Sequence, residues 1–145
     1  MSKMMTQSEM AARLASLLKE AIPKILEEAG LAPLEAYESN GLPADADVRQ
    51  LCIAPASGEI SEEARKEEMY VQIQLPGEMR SDKYLSAIWP HLRFVVAPDK
   101  IGMMNLQIEH QLHYFGETMG ESGATLIEIL LIYEMPLDDT YMGGY

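Results

Sequence analysis

Cysteine is nearly absent from this chain of 145 residues: Cys52 is the single one, so no disulfide can form within the chain. Proteins that mature in oxidising compartments commonly use disulfides, and we therefore expect a reducing, cytoplasmic location. Cys52 lies in the apolar segment 51–53, where no adjacent basic side chain would activate its thiol. A buried structural role is the favoured interpretation, and a nucleophile is the alternative.

Basic residues are also scarce, with 11 lysines and arginines against 23 acids and a formal net charge of −12. This charge repels phosphate backbones and anionic bilayers, so we expect no specific nucleic-acid binding and no membrane binding. No apolar run reaches the roughly 18 residues of a transmembrane helix, and the N-terminus lacks the apolar core of a signal peptide. The expectation is a soluble, intracellular protein whose partners are proteins.

Catalytic and nucleotide-binding signatures are missing as well. Gly116, Gly120 and Gly123 are spaced for a turn, and no Gly-Lys-Ser/Thr follows them as in a phosphate-binding loop. Glu128 and Glu134 would lie about 20 Å apart along a strand, which is too far for a paired acid and base. We therefore predict no catalytic residue and no cofactor.

The three histidines, His91, His110 and His113, follow no zinc-binding pattern. If residues 101–115 formed a helix, His110 and His113 would share a face with Glu109 and Glu117 nearby. As a strand, the same segment places the two histidines on opposite faces. We favour the strand, and so predict no metal site.

The longest apolar run covers residues 124–135 and is rich in β-branched and aromatic side chains. As a strand, it presents one face to the core and a second face that is apolar except for two carboxylates. Such a second face is typical of a strand covered by a helix, a neighbouring strand or another subunit. The candidate contact residues on this face are Leu126, Glu128, Leu130, Ile132 and Glu134.

An amphipathic helix is predicted over residues 6–29, because apolar side chains recur there at steps of three and four. Thr6 and Glu9 have capping-box spacing at its start, and Gly30 suits the left-handed residue that follows a helix end. Pro23 lies inside the helix and removes one backbone hydrogen bond. We therefore expect a kink or a helix in two parts.

The next segments are predicted as a loop over residues 31–47 and a short strand over residues 49–55, followed by a turn at Ser57 and Gly58. The charge run 61–68 is interpreted as a solvated loop or one exposed helical turn. The alternative is a mobile arm that becomes ordered against a partner.

Residues 69–75 alternate between apolar and polar side chains, which predicts a half-buried strand. Ser81 can cap a helix over residues 81–93, in which Trp89 is expected to anchor the helix to the sheet. Residues 94–96 are predicted to form a short strand.

Residues 101–115 fit both a helix and a strand, and the glycine-rich segment that follows favours the strand because it suits a hairpin connection. A long hairpin of residues 104–118 with 123–135 is predicted. The last nine residues, 137–145, show no periodicity and are expected to be a flexible tail.

Together these elements predict a single domain over residues 1–145 with an α+β fold. Its sheet, within residues 49–136, is expected to be mainly antiparallel with about four strands. The two helices, 6–29 and 81–93, are expected to pack on one face of that sheet, which makes the fold two-layered.

The order of helix 6–29, QLCIAP, YVQIQL, helix 81–93 and the closing pair NLQIEHQLHYF and ATLIEILLIYEMP resembles small tail-terminator or head–tail completion proteins of tailed bacteriophages and prophages. The resemblance implies a structural joint without catalysis that assembles into rings, typically hexamers, at the tail end or neck of a virion. It implies subunit contacts through the second face and exposed edge of the sheet, the 57–68 loop and the C-terminal tail. The implied partners are other copies of the chain and other protein subunits.

Two further functions stay open. A small acidic dimeric chaperone or adaptor of the bacterial secretion type matches the size, the acidity and the mixed content of helix and strand. Such proteins usually end in a helix that helps cover the sheet, whereas this chain ends in a strand and a Gly-Gly tail. A small metal-binding enzyme would require the histidines to converge.

Overall fold

The computed structural model of the chain describes residues 4–39, 41–42, 47–76, 80–115 and 124–137, with the backbone alone at 112–115 and 124. It contains two α-helices, a short 3-10 helix at Pro98–Ile101 and five strands. The α-helices are α1 (Gln7–Glu28) and α2 (Ser81–Val95). The strands are β1 (Ala36–Glu38), β2 (Gln50–Ile60), β3 (Ala64–Pro76), β4 (Asn105–Phe115) and β5 (Ala124–Pro136).

The strands form one sheet in the order β1-β2-β3-β5-β4. All neighbouring pairs are antiparallel except β1 and β2, which are parallel. The predicted α+β class is confirmed, and the fifth strand is β1, which lies in a segment predicted as loop. β5 lies between β3 and β4 and pairs with both, so the apolar run that dominates the sequence is an interior strand of the sheet.

The hydrophobic core lies between one face of the sheet and the two helices. The strands alternate as predicted, because successive side chains of a strand point to opposite faces. β5 buries Thr125, Ile127, Ile129, Leu131 and Tyr133, and β3 buries Met69, Val71, Ile73 and Leu75. The helices bury Met10, Leu14, Leu18, Ile22 and Leu26 from α1 and Tyr84, Ile88 and Leu92 from α2.

Two tyrosine hydroxyls link α2 to the sheet and to the segment that follows α1. Tyr133 of β5 donates to the carbonyl of Val96, just after α2, at 2.7 Å, and Tyr84 of α2 donates to the carbonyl of Ala32 at 2.7 Å. Burial raises the pKa of the Tyr133 phenol well above its ordinary value. Each hydroxyl therefore satisfies a backbone carbonyl that would otherwise need water.

The start of α1 has the predicted capping box. The Thr6 hydroxyl accepts a hydrogen bond from the Glu9 amide at 3.1 Å, and the Glu9 carboxylate accepts one from the Thr6 amide at 2.9 Å. Gly30 has φ 72°, the left-handed conformation that glycine adopts without strain. Pro23 lies within one continuous helix, so the expectation of a helix in two parts is wrong.

Replacing Thr6 with alanine is expected to lower the free energy of unfolding by about 1 kcal/mol, because the helix loses its side-chain cap. Ser16→Ala is the matched control, since Ser16 is exposed in the middle of α1. That change should be neutral or stabilising by a few tenths of a kcal/mol, because alanine is the better helix former. Urea unfolding followed by circular dichroism measures both, and equal effects of the two substitutions would contradict the prediction.

The region from Ser57 to residue 68 differs most from the sequence prediction. Ser57 and Gly58 lie inside β2, and the reversal occurs at 61–63, where the Ser61 amide donates to the Ala64 carbonyl. Residues 64–68 belong to β3, so the predicted solvated loop or helical turn is wrong for this part of the run and holds as a loop only at 61–63. Two charged residues of this run, Arg65 and Glu67, are buried.

The end of α2 also differs. Residues 94 and 95 belong to the helix and Val96 is its C-cap, so the short strand predicted over 94–96 is wrong. The helix starts at Ser81 after an N-cap at Arg80 that makes no side-chain cap hydrogen bond. Trp89 is 38% exposed and lies at the rim of the core rather than inside it.

The predicted strand assignment is confirmed for residues 105–115, which form β4 and pair with β5 as the predicted hairpin requires. The strand was predicted from residue 101, which instead ends the 3-10 helix. The connection 116–123 and most of the predicted tail, 138–145, lie outside the described residues. Neither α-helix in the described ranges is long and apolar enough to cross a membrane.

Candidate functional site

The face of the sheet opposite the helices is the main candidate site, and we call it the open face. It consists of the side chains that alternate with the buried ones on β2 to β5. The strand register aligns them in rows across the sheet. The rows are Gln50–Gln74–Leu126, Cys52–Gln72–Glu128–Gln111, Ala54–Tyr70–Leu130–Glu109, Ser57–Glu68–Ile132–Gln107 and Glu59–Lys66–Glu134–Asn105.

An apolar stripe runs along the middle of the open face. It is formed by Leu126, Leu130 and Ile132 of β5, all of which are partly exposed. Apolar side chains at the centre of a sheet face are normally covered in a folded protein, because exposing them costs free energy. Partial exposure of three such residues on one strand therefore marks a surface suited to contact with another protein.

Carboxylates lie within and beside this stripe. Glu68, Glu109, Glu128, Glu134 and Glu59 belong to the rows of the open face, whereas Lys66 is the one basic residue in those rows. Gln72 donates to the Glu128 carboxylate at 3.0 Å, which fixes that side chain near the centre of the face. The open face therefore combines an apolar stripe, interrupted by Glu128, with further carboxylates on both sides of it.

A small hollow of about 80 Å³ lies between the carboxylates of the two strands β4 and β5. Its lining includes Tyr70, Glu109, Gln111, Glu128 and Leu130. A volume of this size holds a few water molecules rather than an organic substrate. In the described part of the chain, no group of three or more His, Cys, Asp or Glu residues is placed to hold a metal ion.

The end of the open face beside β1 is covered by the segment before β2. The Gln50 side chain donates to the Gly41 carbonyl at 3.2 Å, and the Gln74 side chain donates to the Val48 carbonyl at 3.2 Å. The Gly41 amide lies 2.9 Å from the sulfur of Cys52, which is fully buried. The predicted structural role of Cys52 agrees with this burial. The accessible part of the open face lies on β3, β5 and β4 and on the far end of β2, where Ser57 and Glu59 are exposed.

The structure places all five predicted contact residues, Leu126, Glu128, Leu130, Ile132 and Glu134, on the open face. It brings them together with neighbours that the sequence prediction did not include, namely Tyr70, Gln72, Glu109 and Gln111. The alternation of β3 and β4, which is visible in the sequence, shows that these residues lie on one face of their strands. The order of the strands was needed to place these neighbours, and it depends on contacts between distant segments.

The two histidines whose side chains are described lie on different elements. His91 lies on α2, and His110 lies on β4 on the helix side of the sheet, where its ring meets that of Trp89 edge to face at 4.8 Å. The side chain of His113 lies outside the described part. His110 is therefore part of an aromatic contact at the sheet edge.

Neither family models nor curated protein sequences provide a significant match to the chain, so the assignment of function depends on the geometry of the sheet.

Proposed function

We propose that this protein is a structural assembly protein of the bacteriophage or prophage type, a tail terminator or head–tail joining component that works as an oligomeric ring. The observation that supports the proposal is the open face, where a partly exposed apolar stripe is interrupted and flanked by carboxylates. In this proposal the stripe contacts a second copy or another subunit of the assembly. The protein works in the cytoplasm during assembly and then in the virion.

The architecture supports a binding role over a catalytic one. The hollow on the open face is too small for an organic substrate, and the apolar residues of the stripe offer packing surface without nucleophiles. The carboxylates within and beside the stripe favour a partner surface that combines apolar and basic groups, because complementary charge directs the orientation of the two proteins.

A second candidate function is a small acidic dimeric chaperone or adaptor. The observation that favours it is the outer edge of β4, which has no neighbouring strand within the described residues. Pairing of two such edges uses the same surface on both copies, so by itself it produces a dimer rather than a ring. The mass of the assembly in solution distinguishes the two functions.

Replacing Leu130 with lysine is expected to weaken association at least about a hundredfold, because a charged ammonium group would have to lose its water where the contact now buries an apolar side chain. Light scattering on a sizing column across a wide concentration range measures the effect. The parent chain should form a ring-sized species, six times the chain mass of 16.2 kDa for a hexamer, and Leu130→Lys should form smaller ones.

Ala12→Lys is the matched control, since it adds the same charge to an exposed position of α1 on the helical side. It should leave the mass unchanged. A parent chain that is monomeric at every concentration would contradict self-assembly, as would a Leu130→Lys variant that associates like the parent. A parent that forms only a tight dimer would support the chaperone or adaptor.

A further inference from the structure

The outer edge of β4 lacks the features that normally protect an edge strand. β4 is the last strand of the sheet, has 11 residues and contains no proline, glycine or lysine. Glu109 is its single carboxylate. Proteins usually protect edges with short strands, lysine, proline or bulges, because unpaired backbone groups are a template for another strand. Among the described residues, no strand pairs with this edge, which is therefore available for pairing.

The hydrogen bonds of the sheet show which residues of β4 present their backbone to this edge. The Leu137 amide donates to the Glu63 carbonyl at 2.8 Å, which fixes the alternation between β3 and β5. In an antiparallel pair, successive residues direct their backbone groups to opposite sides. Given the registers of β3 with β5 and of β5 with β4, the backbone N–H and C=O groups of Leu106, Ile108 and His110 point away from β5, toward the outer edge.

A side chain confirms this alternation at one end of the edge. The guanidinium of Arg93, on α2, donates to the Leu106 carbonyl at 3.2 Å. This carbonyl is therefore accessible from outside the sheet, as the alternation requires. Arg93 covers the edge at Leu106 and leaves the central part, 108–112, for a further strand.

The helix side of the same edge contains a hollow of about 320 Å³ between α2 and β4. Its lining consists of Leu85, Ser86, Trp89 and Pro90 of α2 and His110 of β4. The residues of β4 with outward backbone groups lie on this side, since Ile108 is opposite Leu131 and His110 is opposite Ile129, which are both in the core. A strand added to β4 would direct every second side chain into this hollow.

We propose that the added strand is β4 of a second copy, paired antiparallel so that His110 lies opposite the His110 of the partner subunit. β4 itself offers a suitable side chain, because Ile108 is apolar, partly exposed and on the helix side of the strand. In this register Ile108 of the partner subunit lies opposite residue 112, two residues beyond His110. His110 is the midpoint of β4, so this register overlaps the two strands completely. It also makes the dimer two-fold symmetric, as most homodimers are.

Charge disfavours the register that is shifted by one residue toward Asn105. Shifting the two-fold axis to Glu109 would place two carboxylates directly opposite each other, at the close spacing of a pair without hydrogen bonds. With the axis at His110, Glu109 lies opposite Gln111 of the partner subunit. The proposed register therefore avoids a like-charge pair.

This inference rests on one part of the proposed function, namely that the protein self-associates. The β4 pair would be the complete dimer of an adaptor, or the building unit of an assembly with an even number of copies. A hexamer built from it would be a trimer of dimers.

Cysteine crosslinking of the full chain tests the register. His110→Cys should form a disulfide-linked dimer in high yield under mild oxidation, because the two sulfur atoms meet at the two-fold axis within the range of a disulfide. Cys52 is buried and should contribute no background. Gln107→Cys, an exposed position on the same strand, should not crosslink, since the two copies of residue 107 would be about 20 Å apart.

A proline substitution tests the pairing without the need for a new bond. His110→Pro removes an outward amide and leaves the hydrogen bonds with β5 in place, so the fold should persist. The dimer should weaken at least about tenfold, because it loses two backbone hydrogen bonds. His110→Ala keeps the amide and should weaken the dimer less.

The outcomes separate the two proposals. If Leu130→Lys disrupts the assembly while His110→Pro, folded by circular dichroism, associates like the parent, the edge pairing is wrong and the proposed function stands. Equal crosslinking of Gln107→Cys and His110→Cys would also overturn the pairing. A parent chain that is monomeric at every concentration, together with a His110→Cys variant that does not crosslink, would overturn both.

Discussion

Replacing Glu67 with alanine is expected to lower the free energy of unfolding by about 3–5 kcal/mol, because it leaves Arg65 as a buried charge without its partner. The two side chains are 5% and 4% exposed and are joined by a bond of 2.9 Å from the guanidinium to the carboxylate. Removing one member of such a pair costs far more than the pair itself contributes. A single substitution of a charged residue should therefore lower the free energy of unfolding most at this ion pair.

The ion pair also joins the start of α1 to the hairpin of β2 and β3. Arg65 donates to the Met5 carbonyl at 2.6 Å, and Gln7 donates both to Glu67 at 3.0 Å and to the Ser57 carbonyl at 2.8 Å. Loss of the Glu67 carboxylate therefore removes the acceptor of two hydrogen bonds, one from Arg65 and one from Gln7. The first turn of the helix should loosen with the strands.

Gly58 shows how closely the carboxylate is packed. A β-carbon at this position would lie 2.6 Å from a carboxylate oxygen of Glu67. Only glycine fits beside the ion pair without moving it, which is why a residue typical of turns lies inside a strand.

Urea unfolding of three variants measures the contribution of the pair. Glu67→Ala is the test, Glu68→Ala is the control on the open face of the same strand, and Arg65→Met with Glu67→Leu removes both charges. The control should change stability by less than about 1 kcal/mol, as is usual for partly exposed charges. The double variant should be closer to the parent than Glu67→Ala is, and equal losses for Glu67→Ala and Glu68→Ala would show that the pair is not buried in solution.

The charge run 61–68 shows why the sequence misled the prediction at this place. Charged residues are rarely buried, so a run of them indicates a solvated segment. Arg65 and Glu67 are two residues apart, and two residues apart on a strand means the same face. The partner that makes burial possible is present in the sequence, but only the strand assignment shows that the two meet.

Local patterns are sufficient to predict α1, β5 and residues 69–75 of β3, because the periodicity and the capping residues of these elements lie within a few residues of each other. The strand β1 has three residues and is stabilised by pairing with β2, a contact that no local pattern records. Trp89 was predicted in the core from helical spacing, but α2 is placed so that this side chain reaches the edge at His110 instead. The five predicted contact residues followed from alternation, whereas the free edge of β4 depends on strand order.

Replacing Ile129 with alanine is expected to lower the free energy of unfolding by about 2–5 kcal/mol, whereas Leu130→Ala should cost clearly less, because only the first leaves a cavity in the core. The two residues are adjacent on β5; Ile129 is fully buried beneath the helices, and Leu130 is partly exposed on the open face. Urea midpoints and slopes, measured at a concentration where the chain does not associate, give both values. Equal losses, or a larger loss for Leu130→Ala, would place the helical layer on the other face of the sheet.

The same pair separates folding from assembly. Leu130→Ala should unfold close to the parent and yet associate more weakly, because its side chain contributes more to the proposed contact than to the core. Ile129→Ala should have the opposite effect: a less stable chain that, while folded, associates as the parent does. If association instead follows stability in both variants, the apolar stripe is not a contact surface, and its exposure is the ordinary cost of a sheet with helices on one side.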